Sequence, residues 1–418
     1  MARDEKIMAY CARVCSQIRW KKTHKSITQE LQTHLQEQRD AYIAQGCPEA
    51  EAEDKAICFF GDAVTIGAQL DRIHRPKSQW LCFGILALLC LFGLYVQNLA
   101  ALSAPYGMMP QLASYLLGAA VLAGVYFLDV SFLSKYAIWF YGAVVASCVV
   151  LWTMPIYVNL RGCVVFLFPL AIACGVYHCR GWRYWGIGAS MLFAAVLFGL
   201  SAWANSAAGL LLTLAAVLTV LPFAICKGWF RVKRGWGLLL WALPFVIGTM
   251  IAGVVVLHHG LSRFYPNDSY IMDIIREVLQ NARWIGVGQP LSRTLPAMHT
   301  DYILTFVIGR FGWLAFGFVS LLLLALLTLC FRAVGKQKSV LGQLTALSIT
   351  VGFAVQMLGY CLANLGLAHF PSFTLPFVSY GSFANLIHFA LLGLMLSVFR
   401  NGEIMTDAPM AAKKIKIA

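Results

Sequence analysis

The chain has 418 residues, is 60% hydrophobic and only 12% charged, and carries a formal net charge of +14. Soluble domains hold roughly a quarter of their residues as charge, so this composition excludes a soluble globular protein. The positive excess sits mainly in short segments flanking apolar runs, where it reports membrane topology and attraction to anionic lipid rather than a nucleic-acid footprint.

Residues 1–79 are mostly polar and read as a separate cytosolic helical domain. No secretory leader is visible ahead of the first apolar run. Ser26 with Gln29 three residues on predicts a capping box, and Ile27, Leu31 and Leu35 recur at helical spacing up to a stop at Gly46. Pro48 opens a second predicted helix that closes near Gly61, and Asp62 is placed to cap a third that reaches Ile73. Arg75-Pro76-Lys77 forms the hinge into the first span. Upstream, Ile7, Tyr10, Val14 and Ile18 share a helical face beside Arg13, Arg19, Lys21 and Lys22. That face fits either a membrane-surface helix or one packed into the domain. Cys11, Cys15, His24 and His34 match no strong zinc spacing.

From Trp80 to Arg400, ten apolar runs are long enough to cross a bilayer as helices. They lie near 80–98, 111–128, 136–157, 163–178, 185–203, 207–225, 237–258, 302–331, 339–362 and 380–399, the fourth being short. The predicted class is an all-α integral membrane protein, with spanning residues 80–400 followed by a basic tail, 401–418. With the N-terminus in the cytosol, Lys135, Arg180, Arg183, Lys227, Arg231, Lys233, Arg234, Arg332, Lys336, Lys338 and Arg400 all fall on the cytosolic side. The outer turns carry almost no Lys or Arg, so both termini are expected inside.

This topology puts a long polar loop, residues 259–301, outside. It ends in Leu295-Pro296-Ala297-Met298-His299-Thr300-Asp301, at the entry to the eighth run. An ionisable group at the mouth of a span is a functional-site candidate by default. Partial desolvation raises a carboxylate's pKa and suits it to accept a proton from an alcohol near neutral pH. His299 can supply a hydrogen bond. Asp301 could also simply cap the helix that follows. Arg263, Arg276, Arg283 and Arg293 give the loop guanidinium forks suited to pyrophosphate. Trp284-Ile285-Gly286-Val287-Gly288 offers glycines for close backbone approach, outside any dinucleotide-binding context. Arg310 appears nine residues into a span, on the face opposite Asp301 if the helix is regular. Gln356 and Asn364 share a side of the ninth run, a usual place for interhelical hydrogen bonds. A second motif, Leu375-Pro376-Phe377-Val378-Ser379-Tyr380-Gly381, opens the last run.

The order Trp284 to Gly288, Leu295-Pro296, His299-Thr300-Asp301, Asn364, Gly366 and then Leu375 to Gly381 resembles the SEDS family of shape, elongation, division and sporulation proteins (RodA-, FtsW- and SpoVE-like), over about residues 80–400. The resemblance implies ten spans and a polymerase that links lipid II into glycan strands at the outer face of the bacterial cytoplasmic membrane. It also implies a class B penicillin-binding protein as partner. Asp301 falls on the family's essential aspartate and would be the general base, with His299 beside it. Arg263, Arg283, Trp284, Gly286, Gly288, Pro296, Asn364, Pro376, Ser379, Tyr380 and Gly381 become candidates for substrate binding. A divalent cation, Mg²⁺ or Mn²⁺, would help stabilise the pyrophosphate leaving group.

Residues 1–79 resemble a helical prefix module found ahead of Gram-positive permeases, carried by Glu30-Leu31, His34, Ala44-Gln45-Gly46, Glu49 to Ala52 and Phe60-Gly61-Asp62. Departures from the SEDS pattern are specific. Gly309 and Arg310 stand where the family usually has paired glutamates, Asn205 to Ala208 where it has Pro-Asp-Leu-Gly-Thr, Pro169 alone where it has Gln-Pro-Ser-Glu, and Ser382 in place of a glycine. Two rival expectations follow: a lipid-linked-precursor flippase or permease, motivated by Arg310 and the prefix, and a non-catalytic scaffold for a transpeptidase, motivated by the missing acids.

Overall fold

A computed structural model describes residues 5–74, 79–101, 108–128, 131–154, 158–259, 269–289, 295–367, 373–401 and 407, without the side chains at some helix ends, among them 248–259. The described residues are helices and turns, and the chain divides into two compact units, residues 1–78 and 79–418.

The first unit packs four helices: α1 (Glu5–Ser16), α2 (His24–Ala44), α3 (Glu49–Phe60) and α4 (Ala63–His74). Its core holds Ile7, Tyr10, Val14 and Ile18 against Ile27, Leu31 and Leu35. The amphipathic face of α1 is therefore packed within the unit, which decides between its two readings. Asp62 caps α4, accepting from the Thr65 N–H at 3.0 Å. Ser26 does not cap α2. The helix begins at His24, and the Ser26 hydroxyl donates to the Thr23 carbonyl. Cys11 and Cys15 are buried, and no group of three or more metal-ligand side chains occurs among the described residues.

The second unit is a helix bundle. Nine described helices are long and apolar enough to cross a bilayer, within α5 (Trp80–Ala101), α6 (Met108–Phe127), α7 (Ser131–Thr153), α8–α9 (Val158–Val164, Phe168–Cys179), α10 (Arg183–Trp203), α11 (Ala207–Cys226), α15 (Trp313–Val334), α16 (Val340–Asn364) and α17 (Ser382–Asn401). Helix α12 (Arg234–His259) adds 26 apolar-rich residues, the seventh run of the sequence. The short fourth run is the innermost helix, largely surrounded by protein. A 3₁₀ turn at Val165–Leu167 resets it, and Pro169 sits in the first turn of α9. Glycines let the remaining helices close on one another without a hydrophobic drive between them. A Cβ on Gly393 of α17 would meet the Leu122 carbonyl of α6 at 2.9 Å. At the basic end, Arg400 of α17 lies 5.0 Å from the ring centroids of Tyr126 and Phe127 at the end of α6. Asp407 caps α16 from the tail, accepting from the Val340 and Leu341 N–H groups at 2.8 and 3.1 Å.

Two expectations change in the outer region. The loop contains an amphipathic helix, α13 (Ser269–Asn281), whose Ile274, Ile275 and Val278 form a small core with Leu295, Met298, Tyr302 and Phe306. The eighth run is not one helix. A short helix, α14 (Ile303–Phe311), ends at Gly312, and α15 starts afresh. Gly312 has φ +90°, and a Cβ there would meet the carbonyl oxygens of Arg283 and Trp284 at 2.6 and 2.7 Å. Only glycine fits that approach.

Candidate active site

Two turns built from the same Leu-Pro-Xaa word meet at the outer end of the bundle. In the first, Ala297 takes φ +49°, and its carbonyl accepts from the N–H groups of Thr300, Asp301 and Tyr302. In the second, Phe377 takes φ +66°, and the Leu375 carbonyl accepts from Val378 and Ser379. A left-handed residue other than glycine costs about 1–2 kcal/mol. Such strain persists where the surroundings over-determine it, commonly at functional sites.

The surroundings here are polar side chains on apolar helices. Gln97 of α5 donates to the His299 carbonyl at 2.8 Å and to the Val378 carbonyl at 3.4 Å, so one side chain bridges both turns. The Tyr380 N–H donates to the same His299 carbonyl at 2.9 Å. The Thr300 carbonyl accepts from the hydroxyls of Tyr360 and Ser379, both at 2.8 Å. The Asp301 carbonyl accepts from Asn364 Nδ2 at 2.9 Å. Three successive carbonyls are thus fixed by α5, α16 and the second turn, while the side chains of residues 299–301 remain half-buried at the mouth. The second turn is held in its own right. Tyr115 donates to the Phe377 carbonyl at 2.6 Å, and Gln111 and Asn385 donate to the Ser379 carbonyl at 3.3 Å. Gln356 Nε2 reaches the Thr374 carbonyl and His388 Nε2, both at 2.8 Å. Gly93 of α5 makes room, since a Cβ there would lie 3.1 Å from the Phe377 carbonyl oxygen.

Asp301 is not the cap of α14. Tyr302 holds that position, and no side chain caps the helix. Burial raises the Asp301 pKa above the ordinary carboxylate value, opposed by the Thr300 hydroxyl and by the positive charge available at His299. The His299 ring stands edge-on to Tyr380, centroids 6.0 Å apart. The arrangement sets a half-buried carboxyl with a raised pKa on a backbone held at three successive carbonyls.

The other predicted residues divide by where they face. Asn364 and Ser379 are buried, and their polar atoms hold the turns from behind. Pro376 is buried, Pro296 exposed, and Tyr380 and Gly381 partly exposed. Gly286 and Gly288 take part in chain pairing. Their N–H groups donate to the carbonyls of Phe311 and Gly309 at 3.0 and 2.9 Å, and a Cβ on Gly288 would meet the Asn281 carbonyl at 2.8 Å. Trp284 and Arg283 are exposed, and their carbonyls accept from the first N–H groups of α15. Arg263 and Arg293 lie outside the described residues. Arg310 is exposed in the last turn of α14, not buried in a span, because the helix stops one residue later. The transport reading loses that support. Gln97, Gln111, Tyr115, Tyr360, Asn385 and His388 were not singled out from the sequence, although polar side chains inside apolar runs are the available signal. As for a metal, no cluster of three or more ligands occurs among the described residues. Mg²⁺ is commonly held by one or two carboxylates with substrate phosphates completing the shell, and Asp301 can supply one carboxylate of that kind.

Residues 284–403 match the model of a family described as cell cycle protein, that of FtsW, RodA and SpoVE. A probable peptidoglycan glycosyltransferase FtsW of Hydrogenovibrio crunogenus is 32% identical over 119 residues, 27% of this chain and 31% of that one. Its counterpart in Trichlorobacter lovleyi is 25% identical over 218 residues, 50% of this chain and 55% of that one. The chain spans about a third to about half the length of these curated relatives. Its fold is shared with a chain of a peptidoglycan synthase complex that coordinates polymerization and crosslinking, at TM-score 0.61 and 19% identity over 77% of this chain and 98% of that one. It is shared also with the rod shape determining protein RodA of Thermus thermophilus, at TM-score 0.54 and 17% identity over 78% and 97%.

Proposed function

We propose that this protein is a SEDS-family peptidoglycan glycosyltransferase that polymerises lipid II at the outer face of the bacterial cytoplasmic membrane, with both termini in the cytosol. A class B penicillin-binding protein is its proposed partner, and shape, division or sporulation its setting. One observation carries the reading: the half-buried Asp301 carboxyl projects from a segment whose three carbonyls are pinned by Gln97, Tyr360, Ser379 and Asn364. In the proposed step Asp301 takes the proton of the acceptor's sugar hydroxyl. That oxygen bonds to the donor's anomeric carbon, and the bond to the undecaprenyl pyrophosphate breaks with its electron pair leaving on phosphate oxygen. The raised pKa suits Asp301 to this role near neutral pH. Arg283 and Arg263 are the proposed contacts of the pyrophosphate, and a divalent cation arriving with it would add positive charge. Membrane embedding follows from the substrate, whose polyprenyl tail stays in the bilayer while its head is processed at the mouth.

The test is polymerisation of labelled lipid II by the purified chain, with and without a co-expressed class B partner and with Mg²⁺ or Mn²⁺, products being resolved on a gel. Glycan ladders from wild type and none from Asp301→Ala are expected. Ladders from the variant would remove Asp301 from the mechanism. Absence of ladders under every condition, with the partner bound, would favour the scaffold reading.

A further inference from the structure

Basic residues collect at the end of the bundle away from Asp301. Between Asp129 and Asp268 the sequence has no acidic residue, yet the turns joining α9 to α10 and α11 to α12 bring Arg180, Arg183, Lys227, Arg231, Lys233 and Arg234 together. The two turns are locked to each other. The Gly181 N–H donates to the Trp229 carbonyl at 3.0 Å, and Phe230 is fully buried against Gly186. Beside the lock runs a groove of about 560 Å³, lined by Tyr184, Lys233, Trp236, Leu239, Leu240 and Leu243. That volume is within the range of small-molecule sites, about 300–1,000 Å³.

The lining is divided in two. Lys233 lies in the turn just before α12, and Tyr184 in the first turn of α10. Trp236, Leu239, Leu240 and Leu243 follow at i, i+3, i+4 and i+7, one stripe running along α12. Lys233 forms no ion pair among the described residues, and Trp236 is 62% exposed. A free anion has no use for four apolar side chains, and a zwitterionic lipid has no net charge to match the surplus of cations.

We propose that this groove is a site for one anionic phospholipid, its phosphate at Lys233 and Tyr184 and an acyl chain along Trp236, Leu239, Leu240 and Leu243. The Lys and Arg distribution places the site in the cytosolic leaflet, where anionic lipids collect and attract basic segments. The proposal is independent of the glycosyltransferase reading, because none of its residues belongs to the Asp301 site.

The full chain in mild detergent is offered equal phosphatidylglycerol and phosphatidylcholine and observed by native mass spectrometry. One retained phosphatidylglycerol is expected, in preference to phosphatidylcholine, and millimolar inorganic phosphate should not displace it. Lys233→Gln should weaken retention about fivefold, the effect of one cation beside an anionic headgroup. Leu240→Trp, which fills the groove and keeps every charge, should weaken it as well. Lys135→Gln removes an exposed cation outside the groove and should change nothing. No preference between the lipids, displacement by phosphate, or equal loss in Lys135→Gln would overturn the proposal.

Discussion

Asn364→Asp is nearly isosteric and exposes what holds the active-site turn. The native side chain makes four hydrogen bonds: Oδ1 accepts from the Thr305 N–H and hydroxyl, and Nδ2 donates to the Asp301 and Tyr360 carbonyls at 2.9 and 3.0 Å. A carboxylate keeps the first pair and turns the second into oxygen facing oxygen, at a residue with no exposure. The Asp301 carbonyl loses its donor while the Tyr360 carbonyl keeps the backbone N–H of residue 364 within α16, so the loss is about 1–3 kcal/mol. Proton uptake by the new carboxyl returns one donor, so the defect should shrink as pH falls. Asn364→Leu lacks both the charge and that recovery. Melting in detergent, followed with a thiol-reactive dye on the many buried cysteines, would compare both variants with wild type from about pH 8 to about pH 5. An Asp variant that melts like wild type across that range would refute the claim that Nδ2 holds the Asp301 carbonyl.

Asp301→Asn tests the carboxyl itself. A folded-state pKa above the ordinary value means that the folded protein holds this proton more tightly than the unfolded chain, so stability contributed at low pH is lost as pH rises through the shifted value. The variant should be at least as stable as wild type at neutral pH, lose that advantage in acid, and make no glycan. A wild type more stable than the variant at neutral pH would contradict the burial argument. Gln97→Leu leaves the His299 carbonyl with its Tyr380 donor, so stability should fall by only about 1 kcal/mol. Lipid II polymerisation should drop far more, up to about a hundredfold, if the bridge sets the position of Asp301 to within about an ångström. Equal losses in stability and activity would make Gln97 a packing residue only. Ala297→Gly relieves the φ of +49° and should raise stability by up to about 1 kcal/mol, whereas Ala297→Val should lower it; melting of the pair in parallel decides.

Length and hydropathy made the spans readable, because a bilayer demands about 20 apolar residues and backbone bonds closed within each helix. The break at Gly312 was not readable, since Phe311, Gly312 and Trp313 all suit an apolar helix and only the carbonyls of Arg283 and Trp284 explain it. Helix α13 had a legible signal in Ile271, Ile274, Ile275 and Val278, at i, i+3, i+4 and i+7, within an otherwise polar loop. At the site, Asp301 and the two Leu-Pro turns could be picked out by their place at span mouths. Their joining could not, because backbone carbonyls do most of the accepting and have no letter in the sequence. Gln97 and Gln111 were visible as polar interruptions of apolar runs, but nothing in their own neighbourhoods points to a partner some two hundred or more residues away.

The break between α14 and α15 uncouples the depth of Asp301 from the length of the membrane span. Segment 283–288 fastens the end of the short helix, with N–H groups reaching the Gly309 and Phe311 carbonyls and with carbonyls receiving Trp313 and Leu314. Gln97, Tyr360 and Asn364 hold residues 299–301 at the other end, so α14 is fixed at both termini and α15 can lengthen without carrying the carboxyl with it. A fold built this way can fit its eighth span to the bilayer beyond Gly312 while the height at which a lipid's head is met stays set by α5 and α16.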